Sequence, residues 1–152
     1  MTLFVDADSC PVRIREIICK TAKRLKVKAV FAANRSIPIL KNPYCTVIVT
    51  EAQDQAADMY ILDHAVQGDM VITRDIPLAK QLVEAHIKVI NDRGVVYTAE
   101  NIDERLSIRN FMYELSVNGL APERTKAFGK KEVMEFARAL DRETQCLLKN
   151  VL

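Results

Sequence analysis

A chain of 152 residues with 49% hydrophobic and 28% charged side chains suits one soluble globular domain, spanning 1–152, and excludes a disordered segment. Its net charge of +2 is too small to argue for a nucleic-acid partner without help from how the charges are distributed. No apolar run approaches the ~18 residues that span a bilayer. Asp6, Asp8, Arg13, Arg15 and Glu16 interrupt residues 1–20, so a signal peptide is not expected and a cytoplasmic location is the default.

In chain order, strand-like and helix-like segments alternate. Residues 2–5 are an apolar strand that runs into Asp6-Ala7-Asp8-Ser9-Cys10-Pro11. Residues 11–25 repeat Val12, Ile14, Ile17, Ile18, Ala22 and Leu25 near helical spacing, with Asp8 or Ser9 as the expected cap. Residues 27–32 and 45–50 read as strands, and 54–66 as a helix with Ala57, Ile61, Leu62 and Ala65 on its buried stripe. Gly68-Asp69 breaks that helix before a strand at 70–73. A helix at 76–85, a strand at 87–90 and a candidate edge strand at 95–98 follow. This alternation implies βαβ crossovers, and hence a mainly parallel sheet of about five strands with helices on both faces. Helices at 101–118 and 131–148, joined by the basic, proline-containing loop 121–130, are expected to pack onto that sheet because neither could bury a core alone.

The acids sit at telling places. Asp6 and Asp8 follow the first strand, and Asp75, in Val71-Ile72-Thr73-Arg74-Asp75-Ile76-Pro77, follows the fourth in the same strand–acid–proline–helix order. Asp54 and Asp58 are four apart, so they share one face at a helix start. Ligands in open α/β sheets sit outside the carboxyl ends of the strands, where the winding reverses. If strands one and four are neighbours there, Asp6, Asp8 and Asp75 converge. Two carboxylates ~4 Å apart repel by about 4 kcal/mol at an effective dielectric near 20. Such a cluster must therefore protonate, spread apart or hold a cation. With oxygen donors only, Mg²⁺ or Mn²⁺ suits Asp6, Asp8, Asp54, Asp58 and Asp75 better than zinc does. Thr73 is placed to orient a carboxylate or a water. Capping and turn formation explain any one of these acids as well.

Cys10, Cys19, Cys45 and Cys146 form no CxxC pair and have no zinc-like spacing to His64 or His86, so they are expected as packing or surface residues. Residues 13–28 hold Arg13, Arg15, Lys20, Lys23, Arg24, Lys26 and Lys28 against Glu16 alone. This is either a solvated helix face or an electrostatic track for a phosphate backbone. Asn34, Arg35 and Arg74 fall at strand ends on the same rim, and with Thr73 they are the candidate substrate contacts.

Asp6-Ala7-Asp8-Ser9-Cys10-Pro11, Asp54-Gln55-Ala56-Ala57-Asp58, the run from Gly68 to Ala79, Asn91-Asp92-Arg93-Gly94, Tyr97-Thr98, Asn101-Ile102 and Phe136-Ala137-x-x-Leu140-Asp141-Arg142 resemble the YaiI/YqxD family. That family is regarded as a compact relative of the PIN domains, metal-dependent ribonucleases with a parallel sheet and an acidic pocket. The resemblance implies a three-layer PIN-like (Rossmann-like) fold. By position it implies Asp6, Asp58 and Asp75 as the catalytic acids, with Asp8 and Asp54 beside them and Asp92 a candidate for a further one. The stretch 121–128 lacks the family's glycines. The expected activity is Mg²⁺- or Mn²⁺-dependent hydrolysis of single-stranded RNA. The rivals are a PIN-like module that binds without turnover and a haloacid-dehalogenase-like phosphatase with Asp6 as nucleophile. Gly68-Asp69 precedes its strand, which counts against the phosphatase.

Overall fold

The computed structural model describes residues 1–39, 41–51, 55–120 and 128–150. These form β1 (Thr2–Asp6), α1 (Val12–Leu25), β2 (Lys28–Ala33), β3 (Cys45–Val49), α2 (Ala56–His64), β4 (Met70–Ile72), α3 (Ile76–Glu84), β5 (Lys88–Ile90), β6 (Val96–Tyr97), α4 (Ile102–Val117) and α5 (Lys130–Lys149). The sheet order is β3-β2-β1-β4-β5-β6, with every pairing parallel except the antiparallel β5–β6 edge. Winding therefore reverses between β1 and β4, the arrangement of a Rossmann-like sheet.

Strand parity decides the layering, because successive side chains point to opposite faces. Leu3, Val5, Met70 and Ile72 face one way and pack with Ile14, Ile18 and Ala22 of α1 and with Val133, Phe136 and Leu140 of α5. Phe4 and Val71 face the other way, against Ala57 and Ile61 of α2, Leu78 and Leu82 of α3, and Ile102 of α4. The three layers are thus α1/α5, the sheet, and α2/α3/α4. Both C-terminal helices pack on, but differently. Helix α5 contributes core residues along most of its length, whereas α4 buries only Ile102 at its start. No helix among the described residues is long and apolar enough to cross a membrane.

Two glycines are required where they stand. Gly68 has a φ of +100° and turns the chain into β4. Gly94 has a φ of +85°, and a Cβ there would lie 2.6 Å from the Glu135 carbonyl oxygen. Only glycine lets the β5–β6 turn approach α5 so closely. Asn91 shapes the same turn, its Oδ1 accepting from the Arg93 and Val95 amides at 2.9 Å each.

The cap of α1 differs from the sequence expectation. Pro11 is its N-cap residue and makes no side-chain cap bond. Asp8 instead accepts the Asn34 amide through both oxygens, at 2.9 and 3.2 Å, tying the end of β1 to the end of β2. Sequence proximity favoured the helix, but the parallel β1–β2 register carries Asn34 to the same rim.

Candidate functional site

The register of β1 on β4 pairs Val5 with Ile72, so Asp6 and Thr73 leave adjacent strands side by side. Parity puts Asp6 on the Phe4 face, toward α2 and α3. The Thr73 side chain is buried; its hydroxyl donates to Asp6 Oδ2 at 2.9 Å and accepts the Asp75 amide at 3.0 Å. Asp75 then caps α3, with Oδ1 accepting the Leu78 amide at 3.0 Å and Pro77 in the first turn. Asp58 enters from the first turn of α2.

Electrostatics bind these acids into one unit. Burial raises the Asp6 carboxyl above its ordinary value; the Thr73 hydroxyl opposes this, and the negative charges of Asp75 and Asp8 add to it. Burial, followed by the charges of Asp6 and Asp75, pushes the Asp58 carboxyl up to about 7, and it shares a hydrogen bond with Asp75. Burial and the neighbouring charges thus favour the neutral form of the Asp58 carboxyl well above the usual carboxylate range.

Of the sequence candidates, Asp6, Asp58, Asp75 and Thr73 are brought together. Asp8 stays within electrostatic reach of Asp6 and Asp58, with both oxygens engaged by Asn34. Asp54 lies outside the described residues, as does 121–127. Asn34 and Arg35 are exposed at the end of β2. Arg74 forms an ion pair with Asp92, a carboxylate only 5% exposed. That pair closes a crevice of about 10 Å³ lined by Asp6, Ser9, Cys10, Ile72, Thr73, Arg74 and Asp92, room for about one water. Burial pushes the Cys10 thiol up to about 12, which removes it as a thiolate nucleophile.

The larger opening is a cleft of about 360 Å³ on the α2/α3 side, lined by Asp58, Asp75, Gln55, Met59, Gln81 and Arg109 among others. Arg109, from α4, carried no local sequence signal; only the packing of α4 against α3 brings it opposite the acids. In the sequence Asp69 reads as part of a helix break. Its Oδ1 accepts the Thr2 amide at 2.9 Å and its Oδ2 the Val66 amide at 3.0 Å, so it clamps the start of β1 to the turn before β4.

The later part of the basic run of residues 13–28 lies away from the acids. Strands and the crossover helix run in opposite directions, so Lys28, paired with Thr2, marks the far edge of the sheet. Arg15 is buried and donates to the Pro38 carbonyl at 2.9 Å, and Arg24 pairs with Asp141 of α5. Among the described residues, Arg74 acts on Asp6 electrostatically and Arg109 lines the cleft with Asp58 and Asp75.

The donor chemistry of Asp6, Asp58 and Asp75 fits a hard divalent cation: all oxygen, mutually repelling, and with the one nearby guanidinium of the crevice already paired to Asp92. Among the described residues no three His, Cys, Asp or Glu groups stand close enough to hold a metal ion.

Residues 4–146 match the family described as "Uncharacterized BCR, YaiI/YqxD family". The chain belongs to the YaiI/YqxD family. Among its relatives are UPF0178 proteins of Treponema pallidum (strain Nichols), 56% identical over 98% of this chain and 84% of that protein, and of Treponema denticola, 57% identical over 93% and 90%. A UPF0178 protein of Myxococcus xanthus is 40% identical over 98% of this chain and 97% of its own length. No solved structure matches this chain.

Proposed function

We propose that this member of the YaiI/YqxD family is a cytoplasmic, PIN-like hydrolase that cleaves phosphodiester bonds of single-stranded RNA with Mg²⁺ or Mn²⁺. One observation carries the reading: Asp6, Asp58 and Asp75, from separate elements, lie at the reversal of the sheet within electrostatic reach of one another, and burial together with the charges of Asp6 and Asp75 pushes the Asp58 carboxyl up to about 7. Asp69 and Asp8 are held by backbone amides and Asp92 by Arg74, whereas Asp58 shares its hydrogen bond with another carboxyl, that of Asp75.

In this reading Asp6, Asp58 and Asp75 would hold the cation, with Asp8 nearby; Asp54, the further candidate from the sequence, lies outside the described residues. A divalent ion held there would supply an acidified water and charge neutralisation at the phosphoryl oxygens. Thr73 keeps Asp6 turned toward the site and fixes the Asp75 backbone. Arg109 stands across the cleft as a donor for a substrate phosphate, and Arg74, with Asn34 and Arg35 farther along the rim, lies where the chain of a polyanion would continue. The likeness of the motifs to PIN ribonucleases supports RNA as the substrate.

Cleavage of a mixed panel of single-stranded RNAs tests the proposal. Wild type should cut with Mn²⁺ and lose cutting with Asp6→Asn or Asp75→Asn; unchanged cleavage in both variants would remove the acids from the mechanism. The absence of three close carboxylates among the described residues favours one second reading, an RNA-binding module without turnover. That reading predicts equal RNA affinity in wild type and both variants, with no cleavage. A phosphoaspartate trapped on Asp6 would instead move the protein to phosphatase chemistry.

A further inference from the structure

Six of the eleven large apolar side chains exposed among the described residues fall between Ile108 and Leu120, on α4 and the residues after it. Phe111 is 58% exposed and Ile108 50%, and α4 buries nothing beyond Ile102. Scattered apolar side chains need no explanation, but Ile108, Phe111 and Met112 share one face of α4, and an exposed apolar face of that kind marks an interaction surface. Helix α4 lies along α3 on one side, which leaves its other faces without a covering element among the described residues.

We propose that α4 is the interface of a homodimer, pairing antiparallel with α4 of a second copy of this chain. Three features select that occupant. First, Ile108, Phe111, Met112 and Leu115 follow the i, i+3, i+4, i+7 spacing of a single stripe, and the stripe is symmetric about the midpoint of Phe111 and Met112. A two-fold axis through that midpoint sets Ile108 against Leu115 and Phe111 against Met112, the self-complementarity an isologous contact requires. It also opposes the two helix dipoles. Second, the flanks accept the same axis. Like-flank neighbours across it bring Arg109 beside Tyr113 and Ser116, and Glu114 beside Asn110 and Ser107, so no like charges stand directly opposite. Third, Phe111 is 58% exposed, Ile108 50% and Met112 41%, with Leu115 half-buried beside them, an apolar centre that the polar flanks extend toward the about 800 Å² per partner of a standard specific interface.

A polyanion is the weaker occupant. Helix α4 carries Asp103, Glu104 and Glu114 against Arg105 and Arg109, so it offers no positive surface to a phosphate backbone. The inference does not depend on the proposed reaction.

Sedimentation of the full chain over about 1–100 µM tests it, since a dimer responds to concentration by mass action. The expected mass is about 34 kDa, twice the chain's 17.2 kDa, falling to 17.2 kDa in Phe111→Asp and Met112→Asp with unchanged helical circular dichroism. Both side chains are exposed in the single chain, so the substitutions leave its core intact. An oxidised Ile108→Cys/Leu115→Cys double variant should also form a covalent dimer in wild-type-like yield. A monomeric wild type at 100 µM overturns the proposal, as does a dimer that survives both aspartates. So does a monomer whose Phe111→Asp variant loses single-stranded RNA binding, because the patch would then be a base-stacking surface.

Discussion

The Thr73 hydroxyl donates to Asp6 Oδ2 at 2.9 Å while holding the Asp75 amide at 3.0 Å, so one buried side chain fixes the acids at the ends of both central strands. Thr73→Val keeps the volume and removes both bonds. It should cost about 2 kcal/mol, the usual penalty for stranding a buried amide and losing a charge-assisted bond. For a domain of this size that is a fall in Tm of about 4–8 °C. Thr73→Ser should restore most of it. Equal melting temperatures for Val and wild type would show that the pair of bonds is not formed.

The acid cluster makes stability depend on pH in a defined direction. Folded Asp58 holds its proton up to about pH 7, whereas its ordinary value is 3.8. Between those values the folded chain binds more protons than the unfolded one, so in chelator its stability falls as pH rises. Asp58→Asn should flatten that fall and melt higher than wild type at pH 8. A wild type that gains stability from pH 5 to pH 8 would contradict the grouping of the acids.

Asp69 separates structural from functional acids. Asp69→Ala frees the Thr2 and Val66 amides and should destabilise the chain by about 3 kcal/mol. Any cation binding per folded molecule should stay unchanged, because Asp69 serves the opposite end of β4 from Asp75. Loss of that binding in a variant that is still folded would mean the site extends further than the geometry places it.

Gly94→Ala asks for a backbone that alanine disfavours and drives a methyl group to 2.6 Å from Glu135. A cost of about 2 kcal/mol or more is expected, from strain at positive φ together with displacement of α5. Gly68→Ala shares the positive φ but meets nothing within 4 Å, so it should cost less. Thermal melts of the two variants side by side check the difference.

The fold was legible because the signals were local. Apolar strands ending in acid and proline, as at Val5-Asp6 and Ile72-Thr73, read directly as strand ends on one side of a sheet, and the edge strand at Val96–Tyr97 falls within the stretch expected for it. What escaped the sequence depends on which elements become neighbours. Asp8 caps nothing on α1 because β2 delivers Asn34 to it; Asp92 meets Arg74 only through the β4–β5 pairing; Arg109 reaches the cleft only because α4 lies along α3. The basic run illustrates the same limit. Its charges are consecutive in sequence, but an antiparallel return to the sheet carries most of them away from the acids, and one of them, Arg15, into the interior.

Binding of Mn²⁺ at pH 6 and pH 8, in wild type and Asp75→Asn, tests most directly whether these carboxylates are a cation site held by a proton. Displacing the Asp58 proton should make wild-type affinity rise by up to about tenfold between the two values, with proton release at pH 6. Asp75→Asn should weaken binding at both. No saturable Mn²⁺ binding at pH 8, or binding indifferent to Asp75→Asn, would contradict the account.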